Sequence, residues 1–395
     1  MITHFHIENF KSLADFDLPP KGQELAGFTC LIGMNGAGKT TLLQAFDFTA
    51  QLMVGRVREW FQWREWMPAD VKTRLDATDR NDVRVVIGMG MKDKRAAVWD
   101  ATFCLEKMRC VRESLTLAGQ DILLLREDGC MKVANDDTYS EEFGSVPFEF
   151  GGSVLSTLRL DGYHPALREV KEMLLGLHSL ELLSPQQIRR SSRESEDIGP
   201  GGERLAGFIS LLSDDQRTDL KLRLQKIYPQ VKDLQIQHKQ YGWKGLLVAE
   251  QSMGGHPVTE THVNDGFLRV LAMLTQAYTR HGILLLDEIE NGINPAVADD
   301  LVNFLVSLSQ EGRQVIVTTH SPVILNYLED DVAREGVILL FKTPNGRTHC
   351  CRYFDVPENE RKLRALGPGE IFLDTSIEAL VERLAAEEPQ PKLAA

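Results

Sequence analysis

The N-terminal part of the chain alternates between apolar and polar positions in the manner of β-strands. Within residues 4–8 the apolar side chains occupy every second position, so that one face of a strand would be buried and the other polar. Two further apolar stretches, residues 13–18 and 26–32, predict two more strands. From about residue 38 the apolar spacing changes to that of a helix, which we expect to end near Met53.

The following segment also favours a sheet. Between residues 83 and 133, short apolar runs are separated by turn signals, among them Asp128 followed by Gly129. This pattern predicts a small antiparallel sheet. A helix is predicted to begin after Pro165, because the apolar residues 167, 170, 174 and 177 share one helical face.

Three tryptophans, Trp60, Trp63 and Trp66, recur every three residues among several arginines. An aromatic and basic surface of this kind would suit stacking on nucleic-acid bases. We favour the alternative, in which the three rings form one buried helix face that ends at Pro68.

The region from residue 181 to residue 260 mixes strand and helix patterns. The predicted elements are a strand ending at Pro185, a turn at residues 199–202, helices within residues 205–227, and strands over residues 231–236 and 245–249. Between residues 217 and 244, seven Lys and Arg stand against two Asp, a local net charge of +5. A solvated helix and strand face is the favoured interpretation, and contact with DNA is the alternative.

Residues 31–41 read L-I-G-M-N-G-A-G-K-T-T and fit the pattern G-x-x-x-x-G-K-[ST] of a phosphate loop. Glycines let the backbone curl so that successive N–H groups point at one anion, and the helix that follows adds the positive end of its dipole. In this pattern Lys39 reaches the β- and γ-phosphates, and the Thr40 hydroxyl can bind Mg²⁺. The predicted nucleotide-binding residues are Asn35, Gly36, Ala37, Gly38, Lys39, Thr40 and Thr41.

A second group of functional residues follows an apolar strand late in the chain. Residues 283–288 read I-L-L-L-D-E, which predicts a buried parallel strand that delivers two carboxylates at its carboxyl end. Asp287 is placed to hold Mg²⁺, and Glu288 is placed to activate or orient the attacking water. A helix and then a strand over residues 314–318 complete a βαβ progression, so this sheet should be parallel. His320, directly after that strand, is the predicted sensor of the γ-phosphate.

Composition excludes several classes of protein. The 395 residues are 43% hydrophobic and 26% charged, which indicates a globular chain with a sizeable core. No apolar run is long enough to span a membrane and the N-terminus has no secretory signal, so we expect a cytoplasmic protein without a membrane partner. The six cysteines lack metal-ligand spacing and are expected to be buried, reduced thiols. A net charge of −13 argues against a surface that coats DNA as a whole.

With the phosphate loop, an N-D-G loop at residues 264–266, L-L-L-D-E and T-H-S-P in this order, the chain resembles the ABC-type ATPase heads. The closer likeness is to the RecF/SMC-like and OLD-like ATPases of bacteria, often labelled AAA-type. The opening I-E-N-F-K-S is similar to their first strand, and I-E-N-G-I-N-P is similar to their E-P-E-N-G-L-H-P. The run L-S-P-Q-Q-I-R-R-S-S, followed by G-G-E-R-L-A, resembles their linker between two lobes, with either Gln186 or Gln187 as the linking glutamine.

This resemblance implies an α/β fold, in which an ABC ATPase head with a mixed, partly parallel sheet flanked by helices carries a smaller antiparallel β and helical lobe. It divides the chain into an ATPase core over residues 1–53 and 180–355, an inserted lobe over 54–179, and a C-terminal helical extension and tail over 356–395. The motifs cover roughly residues 1–50 and 180–345.

In that family the signature loop of one subunit closes over the ATP held by another. Carried over, Asn264, Asp265 and Gly266 would contact ATP bound to a second copy of the chain, and His320 would be the switch histidine. The residues alone favour an ordinary helix cap at Asn264. The family commonly has serine there, and the longer amide of asparagine leaves slow hydrolysis or ATP sensing open.

The resemblance implies an ATPase with ATP and Mg²⁺ as cofactors. Such a protein would dimerise, or form a higher homo-oligomer, around ATP and would drive or gate a separate effector, such as a nuclease, in phage defence or DNA repair. Two alternatives stay open, a RecF-like repair ATPase that binds DNA directly and a non-catalytic ATP-gated scaffold. Salt-dependent DNA binding would favour the first, and ATP binding without turnover would favour the second.

Overall fold

The computed structural model describes residues 1–75, 80–135, 143–177, 179–180, 185–251, 254–279 and 282–387. Two predicted features fall outside these ranges, namely most of the strand that should end at Pro185 and the end of the tail, residues 388–395. No helix within the described ranges combines the length and the apolar character that crossing a bilayer requires.

A six-stranded, mostly parallel sheet lies at the centre of the predicted core. In spatial order its strands are β10 (Ser179–Leu180), β14 (Ile283–Leu286), β15 (Gln314–Thr318), β3 (Phe28–Ile32), β16 (Val337–Lys342) and β17 (Thr348–Arg352). Neighbouring strands run parallel except for β16 and β17, which pair antiparallel. The parallel sheet predicted from the βαβ progression is therefore confirmed. Because parallel strands end at the same edge, the residues after β3, β14 and β15 are brought together.

The helices pack on this sheet and on the two other sheets, one of eight strands and one of three. Their bounds are α1 (Lys39–Val54), α2 (Val57–Trp63), α3 (Pro165–Leu175), α4 (Pro185–Ile188), α5 (Leu205–Leu211), α6 (Asp214–Ile227), α7 (Asp265–Thr275), α8 (Pro295–Gln310), α9 (Pro322–Asn326), α10 (Asp330–Gly336), α11 (Pro357–Lys362), α12 (Pro368–Asp374) and α13 (Ile377–Glu387). One apolar cluster joins the buried faces of α7 and α8 to strands β14, β15 and β16. This cluster fixes the acidic strand against the helix that opens with residues 264–266.

An eight-stranded antiparallel sheet forms the second layer. In spatial order its strands are β2 (Leu13–Leu18), β1 (Ile2–Phe10), β4 (Asp82–Gly90), β5 (Ala96–Cys104), β6 (Arg109–Leu117), β7 (Gln120–Leu125), β8 (Cys130–Val133) and β9 (Gly144–Ser145). The antiparallel sheet predicted over residues 83–133 is present, but it is larger because β1 pairs along its length with β4. Phe5 of β1 packs on Phe46 of α1, with ring centroids 4.2 Å apart. The N-terminal strands therefore share a sheet and a core with the segment predicted as an insert.

A three-stranded antiparallel sheet completes the described strands, with β11 (Val231–His238), β12 (Lys244–Glu250) and β13 (Pro257–Thr259). The basic segment over residues 217–244 runs through α6 and this sheet. At least five of its basic side chains have carboxylate partners: Arg217 with Asp214, Lys221 with Asp233, Arg223 with Asp219, Lys239 with Glu260, and Lys244 with Glu194. Three of these acids lie outside the segment, so its local excess of positive charge is largely neutralised in space. The favoured interpretation, a solvated face, agrees with these ion pairs.

The tryptophans do not form one buried helix face, and that prediction is wrong. Trp60 is buried and its indole N–H donates to Asp47 over 2.6 Å, but Trp63 is 59% exposed. The helix ends at Trp63, and Glu65 takes a left-handed φ of 55° that turns the chain back. Trp66 lies beyond the helix and packs perpendicular to the ring of Trp60, with the ring centroids 5.4 Å apart.

None of the six cysteines takes part in a disulfide bond. Only Cys30 and Cys110 are buried, however, and the other four are partly exposed, so their predicted burial is wrong for those four. They sit on strands whose outer face is only partly covered.

Candidate nucleotide-binding site

The predicted phosphate loop connects the buried strand β3 to helix α1. Gly33, Gly36 and Gly38 all have positive φ, at 147°, 78° and 111°. A Cβ atom on Gly33 would lie 2.3 Å from the Leu340 carbonyl oxygen, and one on Gly38 would lie 2.6 Å from the Thr348 hydroxyl. Two of the three glycines are therefore required both by backbone conformation and by close neighbours.

The base of the loop is fixed by a hydroxyl pair from two other elements. The Thr348 hydroxyl, at the start of β17, donates to the Ala37 carbonyl over 3.0 Å. The same oxygen lies 2.9 Å from the hydroxyl of Ser12, in the turn between β1 and β2, and can accept its proton. The loop is thus held by the N-terminal hairpin as well as by the central sheet. Along its rim, residues 34–36 are exposed.

Lys39 lies folded against the loop at the first position of α1. Its side chain is 5% exposed, and its ammonium donates to the carbonyls of Gly33 over 2.8 Å and Met34 over 3.2 Å. Burial lowers the pKa of this ammonium, and the nearby carboxylates of Asp287 and Glu288 act to raise it. The loop therefore holds a desolvated cation beside two acids at a helix N-terminus, where negative charge is stabilised.

Asp287 and Thr40 meet across the sheet edge. The exposed Thr40 donates its hydroxyl proton to Asp287 Oδ2 over 3.0 Å, while buried Thr318 donates to Asp287 Oδ1 over 2.5 Å. Asp287 is only 6% exposed, so these two hydroxyls fix its carboxylate. A hydroxyl and a carboxylate oxygen side by side fit Mg²⁺, which usually takes one or two protein ligands and fills its remaining positions with water and phosphate. Thr41, the next residue, lies half-buried in the first turn of α1.

Glu288 and His320 also lie together at this edge. Glu288 has a left-handed φ of 46°, a conformation that costs energy in a residue with a side chain. Its Oε1 lies 3.5 Å from His320 Nε2, and both side chains are 34% exposed. Its backbone N–H donates to the Thr318 hydroxyl over 2.8 Å, and its Oε2 accepts from Asn291 Nδ2 over 3.3 Å. The strained backbone and three neighbours therefore hold the carboxylate at the mouth of the site.

Asn264 is the N-cap of α7, in agreement with the helix cap that its residue type favours. Its side-chain oxygen accepts from the N–H groups of Gly266 over 2.8 Å and Phe267 over 3.4 Å. Asp265 forms an ion pair with Arg189, which also donates to the Val263 carbonyl over 2.6 Å. The cap thus uses the Asn264 oxygen, while Asn264 and Asp265 remain exposed to solvent.

This cap lies beside the turn that follows the acidic pair. A Cβ atom on Gly266 would lie 2.4 Å from the Gly292 carbonyl oxygen, so glycine is needed for the close approach. Arg269 of α7, which is 6% exposed, donates to the Asn291 carbonyl. The structure therefore connects residues 264–266 to the turn next to Glu288 within one chain.

Several residues of this site were not found from the sequence. Thr318 binds both Asp287 and the Glu288 backbone, and Glu290 accepts from the His320 N–H over 2.6 Å. Thr318 carries a signal that could have been used, because it ends a strand adjacent to the acidic strand. Arg269 carries another, since a single arginine within an otherwise apolar helix usually has a buried partner.

The two glutamines of the predicted linker differ in their surroundings. Gln186 is exposed, whereas Gln187 is half-buried. The side-chain oxygen of Gln187 packs on Gly201, where an added Cβ atom would lie 2.2 Å from it. Both are on the four-residue helix α4, which packs against α7. Neither observation assigns the linking role, which stays a prediction for either residue.

Two family models match the chain. The model described as an AAA ATPase domain matches residues 1–81, and the model described as an AAA domain, putative AbiEii toxin, Type IV TA system, matches residues 163–326. The chain is also similar to the OLD nuclease of Thermus scotoductus (strain ATCC 700910 / SA-01), with 45% identity over 47 residues. That match spans 12% of this chain and 8% of the length of the nuclease.

Solved structures with a similar fold include heads of SMC proteins. An SMC head bound to the C-terminal winged-helix domain of ScpA matches with a TM-score of 0.53 and 15% identity, covering 88% of this chain and 96% of that one. An SMC head with an extended coiled coil, bound to the C-terminal domain of ScpA derived from Pyrococcus furiosus, matches with a TM-score of 0.50 and 13% identity, covering 92% and 99%. At these identities the likeness concerns the fold, which is that of an ABC-type ATPase head.

Proposed function

We propose that this chain is an ATPase of the ABC/SMC-like AAA type, which binds ATP with Mg²⁺ and hydrolyses it to ADP and phosphate; the two AAA models that match residues 1–81 and 163–326 support this. The observation that carries this proposal is the cluster at the sheet edge. There Thr40 and Thr318 hold Asp287, Glu288 faces His320, and Lys39 lies within electrostatic reach of both acids.

Each of these residues has a distinct part in the proposed reaction. Lys39 and the loop N–H groups neutralise the phosphates, and Thr40 and Asp287 hold Mg²⁺. Glu288 orients and polarises the attacking water, which its partly exposed carboxylate can reach. His320, adjacent to Glu288, senses whether a γ-phosphate is present. The metal supplies charge neutralisation of the phosphates, and the residues provide binding and orientation.

We further propose that two chains close around ATP, with residues 264–266 of each chain contacting the nucleotide of the other. Two features support this. Asn264 and Asp265 are exposed at the N-terminus of an eleven-residue helix, where anions are favoured. Arg269 ties the same helix to the turn after Glu288, so contact with a second chain would be transmitted to the hydrolytic residue. A two-fold axis would then create two equivalent sites.

The output of this closure is proposed to act on a separate effector, such as a nuclease, in phage defence or DNA repair. The partial likeness to an OLD nuclease and the ScpA-bound state of the two SMC heads support an ATPase that works with another protein or domain. The segment over residues 54–179 and the C-terminal extension over 356–395 are the proposed docking surfaces. The need for an effector would be refuted if the pure protein cleaved DNA and a mutation outside the ATP site abolished that cleavage.

The variant Glu288→Gln tests the hydrolytic role and closure together. It keeps size and hydrogen bonding but removes the charge that polarises water, so turnover should fall by about 10²–10⁴-fold while ATP still binds. Because the γ-phosphate is retained, the variant should accumulate as a dimer in ATP but not in ADP, measured by sedimentation.

The matched control is Glu335→Gln, at an exposed position on α10, which should behave as wild type. Turnover of Glu288→Gln at the wild-type rate would refute the hydrolytic role. ATP binding without turnover by the wild-type protein would favour the non-catalytic scaffold. If the mass of Glu288→Gln is the same in ATP and in ADP, closure does not depend on ATP and the assembly is constitutive.

A further inference from the structure

The outer face of strands β1 and β2 carries histidines opposite aspartates. In the antiparallel register His6 faces Asp17 and Glu8 faces Asp15, with His4 two residues before His6 on the same face. The opposite face of this pair, with Phe5, Ile7 and Phe16, is buried in the core. Two rigid strands therefore present a His-x-His pair next to an Asp-x-Asp pair on a partly exposed surface.

The potential ligand atoms of His6, Asp15 and Asp17 lie close together, and His4 is in contact with Asp17. Asp17 Oδ1 lies 2.9 Å from His4 Nε2 and 3.0 Å from His6 Nδ1, and His6 Nδ1 lies 3.9 Å from Asp15 Oδ1. One ligand atom from each of His6, Asp15 and Asp17 lies within 4.8 Å of the others. In a tetrahedral zinc site with bonds of about 2.0–2.1 Å, neighbouring ligand atoms are roughly 3.3–3.5 Å apart. The separations of His6 from Asp15 and Asp17 bracket that value, so these three side chains need only small adjustments, and His4 would complete the set by turning from Asp17 toward the ion.

The second ring nitrogen of His6 has the partner that metal-binding histidines usually have. His6 Nε2 lies 3.5 Å from Glu8 Oε1, and Glu8 in turn accepts from Arg80 over 2.9 Å and Arg84 over 3.0 Å. A carboxylate on the far nitrogen fixes the ring and directs Nδ1 toward the aspartates, as in carboxylate–histidine–zinc arrangements. The arginine pairs hold Glu8 in this outer position.

We propose that His4, His6, Asp15 and Asp17 bind one divalent transition-metal ion, with Zn²⁺ the ion that best matches two imidazoles and two carboxylates. Mg²⁺ is a poor match because it prefers oxygen ligands only. This site is separate from the ATP site and uses none of its residues. The ion would bind the edge strand β2 to β1, and the turn between these strands contains Ser12, which contacts the Thr348 hydroxyl at the base of the phosphate loop.

The test is a Zn²⁺ titration of chelator-stripped, full-length protein in competition with a chromogenic chelator. Excess Mg²⁺ is present so that Zn²⁺ must compete for the oxygen ligands at the ATP site. The wild-type protein should bind one Zn²⁺ per chain tightly. Asp15→Asn and His6→Gln should each weaken this binding at least tenfold, and His262→Gln, an exposed histidine elsewhere, should not change it.

Asp15 is 61% exposed, so its replacement leaves the fold intact even if His6→Gln does not fold. Thermal unfolding provides a second readout, because Zn²⁺ should raise the midpoint of the wild type and not that of Asp15→Asn. The proposal is overturned if the wild type binds no Zn²⁺ under these conditions, or if Asp15→Asn and His6→Gln bind it as the wild type does. It is equally overturned if the bound Zn²⁺ is lost only in Asp287→Asn, which would place the ion at the ATP site.

Discussion

Thr318→Val is the change that most sharply tests how the acidic pair is held. Valine keeps the volume of threonine but removes the hydroxyl that donates to Asp287 Oδ1 over 2.5 Å and accepts from the Glu288 N–H over 2.8 Å. Thr318 is fully buried, so water cannot easily replace the lost partner. Two neighbouring residues of the proposed site therefore lose a fixed contact through one substitution.

The size of the effect follows from the charge on Asp287. A hydrogen bond to a charged group contributes about 1.5–3 kcal/mol, which corresponds to roughly 10–150-fold in an equilibrium constant. Asp287 keeps its contact with Thr40, so we expect the lower end, about a tenfold loss of Mg²⁺-dependent ATP affinity. Turnover should fall further than affinity, because the Glu288 backbone also loses its acceptor.

The assay compares binding of ATP with and without Mg²⁺, together with steady-state turnover. The matched control is Thr319→Val, which removes an equally buried hydroxyl that accepts only from the Ser321 N–H among the described bonds. Thr318→Val should lose Mg²⁺-dependent affinity while Thr319→Val keeps it. If both variants bind ATP·Mg²⁺ as the wild type does, or if the loss is the same without Mg²⁺, the assignment of Asp287 to the metal is refuted.

Two further predictions concern closure and stability. Asn264→Arg should keep ATP binding by the single chain but prevent the ATP-dependent increase in mass measured by sedimentation, since it places bulk and charge at the proposed interface. Asn303→Arg, at an exposed position on α8, is the control. An unchanged mass increase in Asn264→Arg would contradict the interface. Glu113→Met should lower the free energy of unfolding by at least about 3 kcal/mol in denaturant titrations, because the buried Glu113 accepts from Trp99, Ser153 and the Val154 N–H, and methionine leaves all three donors unpaired. The exposed Glu106→Met should change it little, and equal stability of the two variants would refute that reasoning.

The sequence predicts the strands and helices of this fold better than it predicts which of them pack or pair with one another. The strand directly before the phosphate loop, the acidic strand and the strand before His320 follow from apolar runs, because a strand buried on both faces is mostly apolar along its length. The pattern could not tell that β1 pairs with β4, more than seventy residues away, because alternation specifies which face is buried and leaves the neighbouring strand open. The arrangement of the tryptophans was missed for a similar reason, since the three-residue spacing predicts a helix up to Pro68, whereas the helix ends at Trp63, before Trp66.

The candidate site shows the same limit at the level of side chains. Lys39, Thr40 and Asp287 are found by spacing because their chemistry depends on a local loop and a strand end. Thr318 and Arg269 are not, since each acts through a residue that is distant in sequence and near only in the folded chain. Residues 264–266 fall between these cases: the helix cap is local and visible, but their proposed contact with a second chain is not a property of one chain.

The central claim, that the loop after β3 binds ATP·Mg²⁺, is tested most directly by the equilibrium affinity of Lys39→Ala for ATP. Losing a charge-assisted contact to phosphate should cost about 1.5–3 kcal/mol, a roughly ten- to hundredfold weaker affinity, and Lys107→Ala, at an exposed position, should bind as the wild type does. We predict weakened binding and no turnover for Lys39→Ala. Wild-type affinity and turnover in Lys39→Ala would contradict the assignment of this site.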